Sequence, residues 1–269
     1  MLSAAQVQQF KRDGFLLGGR VVSDEQVDVL LEEMQRVIRD QDNKDVPQPV
    51  QIVNLFGRED APIWQIVNIF HASKPFRELM FNKKVIEEIA QLADAKQLRI
   101  WHDQIQYKPS AGGGHSLWHQ DAPYWSTLTP NDEMVTAWIA LDDVDVDNGC
   151  MRMMPGTHKW GDQIEYLHKI KDFYNPPTEY QGHKLEVQMR PVKKGHVHYH
   201  HSLTWHGSGE NKSNRPRRAI ALHYMTERCR YAASGHHPMK PYIKVADGEM
   251  MQGDAFPLVW EKERELVTA

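Results

Sequence analysis

Apolar residues in the N-terminal part of the chain recur at helical spacing. Residues 4–12 predict a short helix, which leads into an apolar run at residues 15–17. A longer helix is predicted after Ser23, where apolar side chains return every three or four positions. These side chains are Val27, Leu30, Leu31, Met34 and Ile38. Ser23 and Gln26 have the spacing of a capping box, which would fix the start of this helix.

The hydrophobic pattern changes about a third of the way along the chain. A polar stretch at residues 40–49 predicts a loop, and residues 75–95 predict one or two further helices, with Pro75 near the start. From Leu98 onward, short runs of β-branched and aromatic residues are separated by Gly, Pro, Asn and Asp. The runs are RIWHDQIQY, MVTAWIAL, KLEVQMRPV, HVHYHHSLTW and RAIALHYMT. This texture is typical of a β-barrel or a β-sandwich.

Nothing in the sequence divides the helical front from the strands behind it. There is no internal repeat, no low-complexity tract and no long linker. A chain of 269 residues is also an ordinary length for one mixed or all-β domain. We therefore predict a single domain over 1–269, mainly β with a helical buttress (α+β). Its helical part covers about 1–97 and its β core about 98–230.

Composition and charge narrow the range of partners. The chain has 32 basic and 36 acidic residues, a formal charge of −4, so it lacks the positive field that collects nucleic acid or an anionic membrane. Two cysteines, Cys150 and Cys229, cannot build a disulfide scaffold and fit a reducing compartment. The first residues do not resemble a signal peptide, and no stretch approaches eighteen apolar residues. We expect a cytoplasmic protein without nucleic-acid or membrane partners and with a small-molecule substrate.

Two histidines and an aspartate form the first candidate site. His119 and Asp121 lie two residues apart in SLWHQDAPYW, so at a strand end both side chains would point to the same face. His206 ends an aromatic run in LTWHGSG and could supply a third ligand from a strand facing the first across a barrel. Two imidazoles and one carboxylate make the facial triad of non-haem iron(II) oxygenases, which leaves positions open for a co-substrate and O₂.

The residues around this triad strengthen the prediction of a metal site. An H-x-D pair alone is weak, because a chain with fifteen histidines produces such spacings by chance, most often as surface hydrogen bonds. Aromatic residues surround the pair, and Arg217 follows His206 by eleven residues, enough for the chain to turn and start the adjacent strand. A guanidinium there could hold a carboxylate by two parallel hydrogen bonds.

A second group of histidines lies on one predicted strand. His196, His198 and His200 would share one face of that strand and His201 the other. A second metal site is conceivable there, but no partner motif accompanies it. The alternative is that one or two of these rings approach the substrate pocket and the others are structural.

Four segments resemble the phytanoyl-CoA dioxygenase family of double-stranded β-helix (jelly-roll, cupin-like) oxygenases. They are DGFLLGGRVVSDEQVDVLLEEM, WHQDAPYW, AWIALDDVDVDNGCMRMMPGTHKWG and HHSLTWHGSGENKSNRPRRAIALHYM. The resemblance covers nearly the whole chain, except residues 162–186 and the C-terminal tail. It implies a jelly-roll core and an enzyme that uses Fe(II), 2-oxoglutarate and O₂.

The resemblance also assigns roles to individual residues. It implies iron on His119, Asp121 and His206, and the C5 carboxylate of 2-oxoglutarate on Arg217 with Ser208 as a hydroxyl partner. Two further residues would line the 2-oxoglutarate pocket. Apart from the resemblance, three aromatic residues near the metal ligands could form a wall for the substrate, or could serve only as packing. The first two are Gln104 and Trp138, and the aromatic three are Trp118, Tyr124 and Trp125.

The reaction expected from the resemblance is hydroxylation of an unactivated C–H bond, with release of succinate and CO₂. Relatives that halogenate carry a small residue at the position of Asp121, so the carboxylate favours hydroxylation. The substrate would be a small metabolite, and the family name is no argument for a CoA ester. Two alternatives remain. One is a cupin-like isomerase or hydrolase that uses its metal as a Lewis acid, and the other is a non-catalytic ligand-binding protein.

Overall fold

The computed structural model describes residues 1–55, 57–110 and 112–262. Within these ranges the helices are α1 (Ala4–Asp13), α2 (Asp24–Arg39), α3 (Lys74–Leu79), α4 (Lys83–Ala93) and α5 (Ile164–Leu167). The strands before the metal-ligand motif are β1 (Phe15–Arg20), β2 (Gln51–Asn54), β3 (Trp64–Val67) and β4 (Gln97–Lys108). Those after it begin with β5 (Ser116–His119), β6 (Leu128–Thr129), β7 (Met134–Ala140), β8 (Met151–Met153), β9 (Glu179–Tyr180) and β10 (His183–Lys184). The last are β11 (Gln188–Arg190), β12 (His196–His201), β13 (His206–Ser208), β14 (Arg217–Thr226), β15 (Arg230–Tyr231) and β16 (Leu258–Glu261).

The predicted helix starts are confirmed. Ser23 caps α2, because its hydroxyl accepts from the Gln26 backbone N–H and the Gln26 side chain accepts from the Ser23 N–H. Ser3 and Gln6 form the same reciprocal pair at the start of α1. Such a cap contributes about 1 kcal/mol by satisfying N–H groups that the first turn leaves without a partner.

Two sheets form the core of the fold. The larger has the strand order β1-β12-β7-β14-β4-β3-β2, with β16 also paired to β4. The smaller has the order β11-β8-β13-β5. Neighbouring strands in both are antiparallel, and side chains from both sheets line one cavity. This is a jelly roll, so the predicted fold class is confirmed.

The boundary between a helical front and a β core differs from the prediction. Strands β1, β2 and β3 lie within residues 1–97, and all three join the larger sheet. The sequence has an apolar run at residues 15–17, where β1 begins, but no signal for β2 or β3. β2 and β3 have four residues each. Gln51 and Gln65 face the cavity, at positions where a buried strand usually has apolar side chains.

The helices cover the outer face of the larger sheet. Along β14, Ile220, Leu222 and Tyr224 point outward into the main hydrophobic cluster, which also contains Val27 and Met34 of α2. The alternate residues of β14 point inward, because side chains alternate along a strand. The helices therefore bury one face of this sheet and leave the other face to form the wall of the cavity.

Two further sequence expectations concern the cysteines and membrane-spanning segments. Cys150 and Cys229 are both buried and both free thiols, so no bridge joins them. None of the helices in the described part of the chain has the length and apolar character to cross a membrane.

Candidate active site

The three predicted metal ligands meet at one end of the cavity. His119 on β5 and His206 on β13 are direct partners across the smaller sheet, and their ring centroids are 4.1 Å apart. Asp121 follows the end of β5, and its Oδ1 lies 3.7 Å from His119 Nε2 and 3.6 Å from His206 Nε2. One ligand atom from each residue falls within 4.8 Å of the others. This spacing fits one metal ion bound on one face.

The structure corrects one detail of the expected arrangement. His206 does not face His119 across the barrel but lies beside it, since β5 and β13 are neighbours in the same sheet. The strand β5 ends at His119, and the backbone turns at Asp121 with φ −77° and ψ −45°. The aspartate therefore reaches the histidines through a turn and not through regular strand alternation.

Both histidines present the same nitrogen to the metal position. Nδ1 of His119 lies 2.7 Å from the Leu117 carbonyl, and Nδ1 of His206 lies 2.9 Å from the Thr204 carbonyl. A carbonyl can only accept, so Nδ1 carries the proton and Nε2 offers its lone pair. Burial lowers the pKa of His206 to about 3 and also lowers the pKa of His119, which keeps both rings neutral near pH 7.

His200 holds the other oxygen of the aspartate. Its Nε2 donates to Asp121 Oδ2 at 3.2 Å, while Oδ1 faces the two ligand histidines. Burial raises the pKa of Asp121, but the imidazoles of His206 and His200 outweigh this effect, and the pKa lies below its ordinary value. The carboxylate is therefore ionised, and each of its oxygens has a separate role.

Two basic side chains line the same cavity beside Ser208, which follows His206 by two residues on β13. Arg217 on β14 and Lys108 on β4 are cross-strand partners, and both side chains are fully buried. Burial and the neighbouring Arg217 lower the pKa of Lys108. Lys108 Nζ donates to Ser208 Oγ at 2.7 Å and to the Gly209 carbonyl at 2.6 Å. Arg217 Nη2 donates to Ser208 Oγ at 3.3 Å. Both cations thus converge on one hydroxyl.

Arg217 has more donors than the protein satisfies. Its Nε and Nη1 are buried without a hydrogen-bond partner. Burial lowers the pKa of Arg217 to about 10, so it stays charged at neutral pH. The guanidinium carbon lies 5.7 Å from the centre of the Trp138 ring, which holds its plane in place. Buried N–H groups without acceptors are rare in proteins, and these two fit the oxygens of a carboxylate.

All ten site residues predicted from the sequence line one cavity of about 440 Å³. Gln104 is the cross-strand partner of Ala221, which in turn is paired with Trp138. Tyr124 is half exposed at the mouth, and its hydroxyl lies 3.1 Å from His168 Nε2. Trp118 is fully buried and donates to the Phe173 carbonyl, so its ring mainly supports the wall. The roles assigned to these residues remain predictions.

Sequence reasoning missed Lys108 and did not single out His200. Lys108 shares a face with Gln104, which it did find, since His102, Gln104, Gln106 and Lys108 alternate along β4. The alternation of β4 was visible in the sequence, and it would have placed Lys108 on the face of Gln104. Nothing in the sequence shows that Lys108 is the cross-strand partner of Arg217.

The donor set fits the cofactors of an iron oxygenase. Two neutral imidazoles and one carboxylate can bind iron(II) and leave other positions open. The unpartnered N–H groups of Arg217 fit the far carboxylate of 2-oxoglutarate. The residues that the structure brings together therefore match the group that the sequence resemblance implies.

Comparisons with known proteins identify the family of the chain. The family model for phytanoyl-CoA dioxygenase matches residues 10–219. The peroxisomal phytanoyl-CoA dioxygenase of Bos taurus is 27% identical over 86% of this chain and 71% of its own length. Ectoine dioxygenase of Bordetella bronchiseptica is 25% identical over 83% of this chain and 75% of its own length.

A solved structure extends the similarity to the fold. The α-ketoglutarate-dependent carbocyclase SnoK of nogalamycin biosynthesis superposes with a TM-score of 0.79, is 25% identical, and is covered over 97% of its chain and 96% of this one. The sequence similarity, the fold and the set of metal-ligand residues all indicate the same family. The chain belongs to the phytanoyl-CoA dioxygenase family of iron(II)- and 2-oxoglutarate-dependent oxygenases.

Proposed function

We propose that this protein hydroxylates an unactivated C–H bond of a small-molecule metabolite, with succinate and CO₂ as co-products. His119, Asp121 and His206 hold iron(II) in this proposal, and Arg217 holds 2-oxoglutarate. One observation carries it: three residues that could hold a metal ion and a buried arginine with two unpartnered N–H groups line one cavity. Bound iron and 2-oxoglutarate supply the oxidation of a C–H bond by O₂.

The chain's own residues orient the co-substrate. Arg217 and Ser208 bind its far carboxylate, and Lys108 adds a second cation beside them. On the larger sheet, Ala221 lines the cavity between Arg217 and His223 of β14, and its short side chain leaves room for a linear molecule. The co-substrate is thus aligned along the cavity.

Asp121 supports hydroxylation over halogenation. Its Oδ1 takes the third ligand position, so a halide has no vacant place at that point. His206 and the rings of Trp118 and Trp138 are buried, which limits the access of bulk water on that side of the site and protects it from side reactions. The substrate enters past Tyr124, where the cavity opens to solvent.

The first test uses metal-free protein under nitrogen. Iron(II) and then 2-oxoglutarate are added, and the weak visible charge-transfer band of the iron chelate is recorded. We expect the band in the parent, its loss in His206→Ala and a much weaker affinity for 2-oxoglutarate in Arg217→Ala. Two surface variants serve as controls, His183→Ala and Arg215→Ala, and both should match the parent because these side chains are exposed.

The outcome separates the competing functions. A folded, iron-loaded protein without the band would exclude 2-oxoglutarate as co-substrate and would favour the Lewis-acid isomerase or hydrolase. A band without any succinate on admission of O₂ to the protein and a broad set of metabolites would favour a ligand-binding protein. Succinate formation stimulated by a metabolite, together with a product heavier by one oxygen atom, would establish the hydroxylase.

A further inference from the structure

The inner face of the larger sheet is arranged in rows of side chains. Cross-strand partners share a face, so the register defines each row. The first row contains Lys108 and Arg217. Two rows of glutamines, alanines and one tryptophan follow, and they contain Gln65-Gln106-Ala219-Ala140 and Gln51-Val67-Gln104-Ala221-Trp138. The next row contains His102-His223-Thr136-His200.

Four glutamines from neighbouring strands form an amide wall in the cavity. The wall consists of Gln51, Gln65, Gln104 and Gln106, contributed by β2, β3 and β4. Gln106 Oε1 accepts from Trp138 Nε1 at 3.2 Å, which leaves its amide group free to donate. A carboxamide both donates and accepts, so this wall can bind hydroxyl, ether and carbonyl oxygens without carrying any charge.

Three histidines form an imidazole cluster next to the amide wall. The ring of His102 lies 4.5 Å from that of His223 and 5.1 Å from that of His237, between ring centroids. Trp125 packs edge-on against His223 at 4.8 Å. His102 Nε2 is buried without a hydrogen-bond partner. A buried ring nitrogen with no partner in the protein needs one from a ligand or from water.

Few charged side chains line the cavity. In the lining that the structure describes they are Asp121, Lys108 and Arg217, and the proposed function uses Asp121 for iron and Arg217 with Lys108 for 2-oxoglutarate. The imidazole cluster adds no charge near pH 7, because burial lowers the pKa of His102 to about 3 and that of His237 to about 4. A charged group on the substrate would therefore be buried here without a counter-charge.

We infer that the substrate is an uncharged molecule that carries several hydroxyl, ether or carbonyl oxygens on its buried part. This inference rests on the proposed function, because it assigns Gln51, Gln65 and Gln106 of the amide wall and the imidazole cluster to the substrate of that reaction, while Gln104 stays assigned to the 2-oxoglutarate pocket. The amide wall binds the oxygens, and Trp125 with the imidazole cluster packs against the flat or ring-shaped end of the molecule.

Two other substrate classes fit the lining less well. A carboxylate or ammonium group in the buried part would lose its hydration and find no opposite charge, which is strongly unfavourable. A plain hydrocarbon chain would leave the carboxamides and His102 Nε2 without partners. Each unsatisfied polar group lowers affinity by about tenfold or more. The lining therefore selects against both a charged and a purely apolar substrate.

The test compares matched probes on the parent protein loaded with manganese(II) and 2-oxoglutarate. Paramagnetic relaxation of probe protons reports binding close to the metal without any turnover. One set is methyl glucoside, methyl glucuronide and methyl glucosaminide. The other is benzyl alcohol, benzoate, benzylamine and toluene. We expect the neutral, hydroxylated member of each set to be relaxed about tenfold more strongly than the other members at equal concentration.

Variants of the amide wall test its role directly. The double variant Gln51→Leu, Gln65→Leu should shift the preference from benzyl alcohol to toluene. Gln65→Lys should shift it from methyl glucoside to methyl glucuronide, because it adds a cation to the wall. Gln252→Lys adds the same charge at an exposed position and should leave the preference unchanged.

The result is separable from a failure of the proposed function. Each protein is first checked for manganese binding and for the iron(II) 2-oxoglutarate band, and absence of that band in the parent would refute the proposed function itself. With the band present, charged members relaxed as strongly as neutral ones would overturn the inference. So would equal relaxation of benzyl alcohol and toluene, or no relaxation of either neutral hydroxylated probe.

Discussion

Replacement of His200 tests whether a residue outside the metal triad fixes the geometry of the site. His200 Nε2 donates to Asp121 Oδ2 at 3.2 Å, so it leaves only Oδ1 facing His119 and His206. In His200→Ala the carboxylate loses this donor and is free to rotate. His200→Gln retains an N–H donor at a similar reach. We therefore expect weaker metal binding in the alanine variant and recovery in the glutamine variant.

The magnitude follows from the type of hydrogen bond. A hydrogen bond to an ionised group contributes about 1.5–3 kcal/mol, and a distance of 3.2 Å places this one toward the weaker end. A loss of about 1.5–2 kcal/mol corresponds to a decrease of about 10–30-fold in iron(II) affinity. Loss of a residue that orients a metal ligand typically has an effect of about 10–100-fold, which agrees with this value.

The assay is anaerobic titration of metal-free protein with iron(II), followed by the charge-transfer band with 2-oxoglutarate. His196→Ala, at the other end of β12, controls for the loss of a histidine from this strand. A positioning role predicts weaker metal affinity and a shifted band in His200→Ala, with both restored in His200→Gln. Metal affinity within about threefold of the parent, in a folded alanine variant, would refute the reasoning.

Three other predictions concern the co-substrate, acid stability and helix capping. Arg217→Ala should weaken 2-oxoglutarate binding by about 100-fold and Lys108→Met by about tenfold, because each removes a buried basic side chain from the anion site. Titration of the charge-transfer band measures this binding, and equal affinity in both variants and the parent would contradict the prediction. Burial lowers the pKa of His201 to about 3, below the value of about 6.5 in an unfolded chain, so its contribution to stability is complete above pH 6.5 and is lost as the pH falls toward 3. His201→Gln should therefore recover about 3 kcal/mol of the stability that the parent loses between pH 6.5 and 4, measured by urea unfolding, and an unchanged pH slope would be the opposing result. Ser23→Ala should lower the free energy of unfolding by about 1 kcal/mol, and Ser23→Asp should not, because only the former removes the acceptor for the Gln26 N–H.

The parts of the fold that the sequence predicts correctly are those with strong local signals. The capped helix α2 has both its cap and its apolar period within one segment, and the long strands β4 and β14 have clear β-branched and aromatic runs. Strands β2 and β3 have no such signal. They are held in the sheet by pairing with each other and with β4, which is a long-range contact that local pattern does not encode.

The candidate site divides in the same way. His119, Asp121 and Arg217 were predicted because they belong to short motifs, and their place in one cavity agrees with that prediction. Lys108 and the imidazole cluster belong to no motif. Their positions depend on the register of β4 against β14, and a shift of one residue would turn Lys108 to the opposite face of the sheet.

The buried cations connect this register to stability. A lysine and an arginine side by side in the interior, without an anion among the described lining residues near them, oppose folding, because each loses hydration and each repels the other. Ser208 and two carbonyls offset this for Lys108, but Arg217 keeps two N–H groups without acceptors. A dianion that binds only the folded state would supply acceptors for these two N–H groups. At a hundredfold excess over its dissociation constant it would add about 2.7 kcal/mol to the free energy of unfolding. The feature that weakens the free protein is therefore the one that makes its stability respond to 2-oxoglutarate.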